Sequence, residues 1–220
     1  MVARTMKSTA SSDRDVAMRR LDDVSRRLLA LGGPIEFRFA ASDAERDAVY
    51  RLHKSVVVER GWRSPEQFPD GRERDRYDDD ALLAVGLKNG EAVATSRLVF
   101  PHIERLLPTE EAFDVLVQPS GEVADVSRMI VTRDEESPRR GGFWQLLALI
   151  WLELRDRGFS RVCGANTATM TRAYEAMGFR ATALGPARDY WGALRVPILM
   201  DVGATAGTIA DRAAAYMELE

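Results

Sequence analysis

Two arginines, three aspartates and a basic glycine loop are the residues whose types and spacing can do chemistry. Arg97 and Arg128 fall in segments 92–100 and 123–131, which alternate like strands and should otherwise bury apolar side chains. A buried guanidinium requires an acidic partner, and Asp75, Asp78 and Asp125 are at hand. Each aspartate also has a plainer reading. Asp75 and Asp78 run on into Asp79 and Asp80 as a solvated charge run, and Asp125 is a strand-edge residue pairing with Arg128 or Arg97. Further along, Arg139-Arg140-Gly141-Gly142 precedes an apolar helix. Helix N-terminal amides attract phosphate and arginines add charge; a solvated loop is the competing reading.

Composition narrows the classes. The 220 residues, 45% hydrophobic and 30% charged, fit one soluble domain with a sizeable core. A formal net charge of -3 gives no electrostatic case for nucleic acid. Cys163 is the sole cysteine, so no intramolecular disulfide forms, and it reads as a small buried core residue. His53 and His102 are the only histidines, too few for an ordinary zinc site, so no metal is expected. The polar N-terminus lacks a signal-peptide core, and the apolar run 143–154 is too short to span a bilayer. The expected location is the cytoplasm, with no transmembrane segment.

The elements that must position these residues follow from periodicity. Residues 1–11 read as a disordered N-terminus and 12–33 as an amphipathic helix capped at Ser12 and stopped by Gly32-Gly33-Pro34. A domain spanning 34–220 then opens with a strand. Ser42 and Glu45 form a capping box for a helix carrying His53, which reads as a partly exposed surface or cleft residue, and Trp62 follows. A charged connection, 64–80, leads to a hairpin turning at Asn89-Gly90. After an irregular stretch with a short helix near Glu110 come a strand at 123–131, a helix at 143–156 and a strand at 161–163. A helix at 169–177, strands at 180–184 and 196–202, and a helix at 208–220 complete the order. This is a mixed α/β (α+β) sheet with an antiparallel hairpin and flanking helices, not a pure doubly wound fold.

Residues 50–62 resemble the first signature of the autoinducer synthases, which with the N-acyl amino acid synthases form a branch of the GNAT acyltransferases. The family's next marks have counterparts in order: a tryptophan at Trp62, an acidic D-x-x-D element at Asp75–Asp78, an arginine late in the hairpin at Arg97, and Asp125-Val126-Ser127-Arg128. Downstream, Tyr174 to Gly178-Phe179 is similar to a GNAT C-terminal element. The chain departs at His53, where the family has arginine, at Val57, where it has an aromatic, and at Asp125, where autoinducer synthases have glutamate.

The resemblance implies a three-layer GNAT-like sandwich with helices on both faces of a twisted mixed sheet. It implies transfer of a fatty acyl group from acyl carrier protein or acyl-CoA to the amine of a small amino-acid-like acceptor, with no permanently bound cofactor. Asp125 is then the base, acting directly or through water, and Asp75 and Asp78 pair with Arg97 and Arg128 to hold the active-site floor. Trp62 walls the acyl or acceptor pocket or is plain packing, and His53 and Ser127 are substrate-binding. Phe143 and Trp144, with Leu147, Ile150 and Trp151, line a tunnel for the chain or form plain core. Arg139, Arg140, Gly141 and Gly142 meet coenzyme A pyrophosphate or an acyl carrier protein. The alternatives are an acyl-homoserine-lactone synthase, an acetyl-CoA N-acetyltransferase and a non-catalytic acyl-binding module.

Overall fold

The computed structural model describes residues 2–132 and 142–218, and the side chains of 12–132 and 142–218. Its elements are α1 (Val2–Ala30), β1 (Glu36–Phe39), α2 (Asp43–Glu59), β2 (Leu82–Lys88), β3 (Glu91–Val99), α3 (Pro108–Phe113) and β4 (Val123–Val131). After these come α4 (Gly142–Asp156), β5 (Arg161–Asn166), α5 (Ala168–Ala176), β6 (Ala181–Ala183), β7 (Arg188–Tyr190), β8 (Ala193–Asp201) and α6 (Val202–Met217). None of the described helices is long and apolar enough to cross a membrane.

The sheet runs β1-β2-β3-β4-β5-β8-β6, with β7 paired to β8. All pairings are antiparallel except β4 with β5. The hairpin between β2 and β3 turns where expected, with Asn89 and Gly90 both at positive φ, 52° and 83°. Helices α1, α4 and α6 bury Leu28, Leu146, Trp151 and Ile209 against one face of the sheet. On the other, α2 contributes Val49 and Tyr50 to a second cluster with Leu83, Val85 and Val99. The three-layer mixed α/β arrangement is therefore present.

Several boundaries differ from the sequence expectation. The N-terminal helix begins at Val2 rather than Ser12. Residues 2–11 contain neither glycine nor proline, so a nucleated helix can propagate back through them. Ser42 does cap α2, accepting from the Glu45 amide at 3.3 Å, while Glu45 returns the bond to the Ala41 amide at 2.7 Å. The last helix begins at Val202, capped by Asp201, which accepts from the Ala204 amide. Strand β7 went unread, because three residues are too few to show alternation.

Two irregularities shape the site. Thr95 faces Ile130 and Arg97 faces Ser127, so Ser96 opposes both Arg128 and Met129, and β4 bulges there. Arg128 takes a left-handed conformation, φ 53°. Strand β5 pairs with β4 only from Val123 to Asp125; from Gly164 onward β5 continues with β8 alone. Between the separating strands lies a cleft.

Candidate active site

The cleft has a cavity of about 190 Å³ lined by β4 from Asp125 to Ile130 and by Ala165, Asn166 and Thr167 across the gap. The connection before β2 and the hairpin β7–β8 close its sides. Trp191 and Gly192 turn that hairpin at positive φ, 54° and 65°. A side chain at Gly192 would lie 2.8 Å from the Trp62 backbone, so only glycine lets the hairpin seat against this loop.

The floor is a buried charge network. Arg97, 4% exposed, reaches Asp75 at 2.8 Å and Asp78 at 3.4 Å, and its Nε donates to Ser127 Oγ at 3.2 Å. Arg128 Nη1 donates to both Asp78 oxygens at 2.8 and 2.9 Å, and Nη2 to Glu73 at 2.6 Å and Asp75 at 2.8 Å. Asp78 Oδ2 also accepts from the Asp75 amide at 2.6 Å, so the D-x-x-D turn closes on itself. Burial pushes the Asp75 carboxyl up, but the two guanidiniums and the Tyr77 amide together hold it below its usual range. Asp75, Asp78, Arg97 and Arg128 thus come together as an ion-pair cluster rather than a solvated charge run.

His53 is buried, where a partly exposed position was expected. Its Nδ1 stands 2.7 Å from Glu73 Oε2, a close contact rather than an aligned hydrogen bond. Burial lowers the imidazole pKa despite that carboxylate. His53 lies on the cavity wall beside Trp191, ring centroids 6.2 Å apart. Burial favours its neutral form, and the carboxylate it meets, Glu73, is hidden within a charged stretch of sequence.

Asp125 is not paired with either arginine among the described residues, so the plainer reading of it fails. It is fully buried at the point where β4 and β5 separate. Oδ2 accepts from the Thr109 amide at 2.9 Å and the Thr109 hydroxyl at 2.5 Å, while Oδ1 has no hydrogen-bond partner. Burial raises the Asp125 pKa, and Thr109 and Arg97 offset only part of that effect. Cys163, opposite it in the register, has its thiol pKa pushed well up by burial and by the Asp125 charge, and stays a protonated core residue.

Trp62 lines the same cavity, with the guanidiniums of Arg60 and Arg195 at 5.3 and 4.8 Å from its ring. Trp144, Leu147, Ile150 and Trp151 line a second, apolar cavity of about 60 Å³ between α4, α1 and the sheet. Phe143 does not line it; its ring packs on Tyr174, centroids 5.9 Å apart, and Tyr174 borders both cavities. Gly142 is the buried first residue of α4. Arg139, Arg140 and Gly141 lie outside the described residues, and so does the expectation placed on them.

Sequence reasoning missed Glu73, Thr109, Tyr190, Trp191 and Arg195. The Trp191-Gly192 pair was the one available turn signal. Arg195, on β8, donates its Nε to the Tyr190 carbonyl at 3.0 Å and pairs with no carboxylate among the described residues. Burial and the nearby Arg60 charge lower its pKa.

Residues 48–202 match the family described as N-acyl amino acid synthase FeeM. An acyl-homoserine-lactone synthase of Ralstonia solanacearum is 30% identical over 169 residues, covering 72% of this chain and 81% of that protein. Among solved structures, the CoA-dependent acyl-homoserine lactone synthase BjaI, with SAM and isopentyl-CoA, aligns with a TM-score of 0.59 at 24% identity. That alignment covers 83% of this chain and 90% of BjaI. FeeM, an N-acyl amino acid synthase from uncultured soil microbes, aligns with a TM-score of 0.61 at 15% identity, covering 76% and 91%. Both share the GNAT-like fold seen here. The chain belongs to the FeeM and autoinducer synthase family of acyltransferases.

Proposed function

We propose that this enzyme transfers a fatty acyl group from a pantetheine thioester, on acyl carrier protein or coenzyme A, to the amine of an amino acid, giving an N-acyl amino acid. The observation that carries this reading is the position of Asp125. It sits where β4 and β5 part, beside a polar cavity, with one oxygen held by Thr109 and the other without a partner. The polar cavity meets the apolar one at Val126, Met129, Asn166 and Tyr174.

In this reading the thioester enters between β4 and β5, its chain turned into the apolar cavity and the acceptor in the polar one. Asp125 takes a proton from the acceptor ammonium, through a water where the short side chain requires it. The nitrogen attacks the thioester carbon, and the oxyanion meets donors on the strand edge that β5 leaves uncovered. The C–N bond forms and the C–S bond breaks; the proton held by Asp125 goes to the departing thiolate, and the second proton leaving the acylated nitrogen returns to Asp125 and passes to water. Arg195 offers its guanidinium to the acceptor carboxylate. The ion-pair floor fixes the bulge that carries Arg128 and so holds β4 away from β5. We take 34–220 as the catalytic unit, with α1 packed over it.

Acyl-homoserine-lactone synthesis is the second reading, favoured by the Ralstonia relative. Acetyl transfer fits less well, because it leaves the apolar cavity without a use. The test is mass spectrometry of organic extracts from cells expressing the chain or its Asp125→Asn variant. New acyl amino acid masses present only with the wild type are expected. Acyl-lactone masses instead would select the second reading, and no new lipid alongside acetyl-CoA turnover by the purified enzyme would refute both.

A further inference from the structure

Two parts of the apolar cavity's lining lie outside the family match: Ile209 and Ala213 of α6, and a wall from α1. Leu21, Ser25 and Leu28 line the cavity from α1, which lies wholly outside residues 48–202. Their spacing, four residues and then three, puts them on one face of the helix. Opposite stand Trp144 and Trp151 of α4. Ser25, 2% exposed, is the small residue between two leucines.

This wall is fastened. Buried Gln145 of α4 donates to the carbonyls of Leu28 and Gly32 at 3.1 and 2.9 Å. Buried Asp22 accepts from Trp151 Nε1 at 2.8 Å. Arg14 holds Asp201, at the start of α6, at 2.6 Å. Releasing α1 would break these bonds and expose the buried Leu21, Val24 and Leu28 to water, so α1 forms a fixed surface.

We infer that α1 is the end wall of the acyl-chain site and that Ser25 sets how many carbons the site accepts. The inference rests on the acyl-transfer reading above for its ligand. The cavity is small, about 60 Å³, so it takes only the terminal segment of an acyl chain. Longer chains meet Leu21, Ser25 and Leu28. A larger side chain at position 25 projects into the cavity, and a smaller one at 28 extends it.

The test is binding of a series of saturated acyl-pantetheines, butanoyl to tetradecanoyl, to the full-length wild type, Ser25→Phe and Leu28→Ala, each checked for cooperative unfolding. Affinity should rise about fourfold per added methylene and then stop rising at a definite length. Ser25→Phe should bring that break at least two carbons earlier, and Leu28→Ala should move it later. The same break in all three proteins, or no dependence on length in the wild type, would overturn the inference. Lipid extracts from the same strains separate the two ideas. A shifted break without any acylated product counts against the proposed reaction and for the end wall.

Discussion

Replacing Arg97 with alanine removes one of two guanidiniums from a floor that holds three carboxylates. Arg97 is 4% exposed, and its contacts to Asp75 and Asp78 are its only described ion pairs. Asp78, at 3% side-chain exposure, and Glu73, also 3%, would then share Arg128 with Asp75. Breaking a buried pair by deleting one partner typically costs about 3–5 kcal/mol, because the remaining charge stays desolvated. Asp75 is 40% exposed and recovers water, so the lower end, about 3 kcal/mol, is expected. With a denaturant slope of about 2–3 kcal/mol per molar urea, the midpoint should fall by about 1–1.5 M. Arg97→Lys keeps the charge but cannot donate to Asp75, Asp78 and Ser127 from one planar group, and should fall between. Adding Asp78→Asn to Arg97→Ala should restore part of the loss, with a coupling of about 1–3 kcal/mol. A urea midpoint for Arg97→Ala within about 0.3 M of wild type, or no coupling in the double variant, would refute the account of the floor.

Two further predictions concern protons. The folded-state pKa of Asp125 is raised from 3.8 by burial, so its contribution to stability is present below about 3.8 and is lost as pH rises through the folded value. Asp125→Asn should therefore melt higher than wild type at pH 7 while losing turnover, with the stability difference shrinking towards pH 3; an equal or lower melting temperature at pH 7 would contradict this. His53 is the opposite case, its pKa lowered from 6.5 by burial. The stability that depends on neutral His53 is complete above about pH 6.5 and falls as pH drops towards the folded value. Wild type should thus lose stability between pH 7 and 5 more steeply than His53→Gln, and parallel profiles of the two would show that His53 is not held neutral.

What could be read from the sequence was carried by local chemistry. Asn89-Gly90 demands positive φ at both positions, and Ser42 with Glu45 satisfies a helix end by itself, so both features were legible. Arg97 and Arg128 stood out because charge in a strand pattern needs a partner, and the ordered family marks pointed to Asp75 and Asp78. Glu73 was not legible, because its burial depends on His53 and Arg128 arriving from other elements. Thr109 is hidden for the same reason: its service to Asp125 comes from α3 folding beneath β4. The bulge leaves no mark on alternation, since the slip appears only when β4 is set against β3.

The arrangement of charge explains why two motifs of similar composition take different roles. Both arginines are occupied by Glu73, Asp75 and Asp78, so Asp125 is left without an ion pair among the described residues. Had either guanidinium faced Asp125 directly, its carboxylate would be stabilised in the charged form and would be a weaker base for an ammonium proton. Instead desolvation dominates and raises its pKa, which brings it closer to what proton transfer near neutral pH requires. The same contacts hold Arg128 at φ 53°, a conformation that costs a non-glycine residue about 1–3 kcal/mol. Four donor–acceptor contacts to buried or half-buried carboxylates offset that cost, and they fix the bulge just where β5 has already turned away. One ion-pair floor therefore fixes the β4 bulge beside the cleft and leaves Asp125 without an ion pair among the described residues.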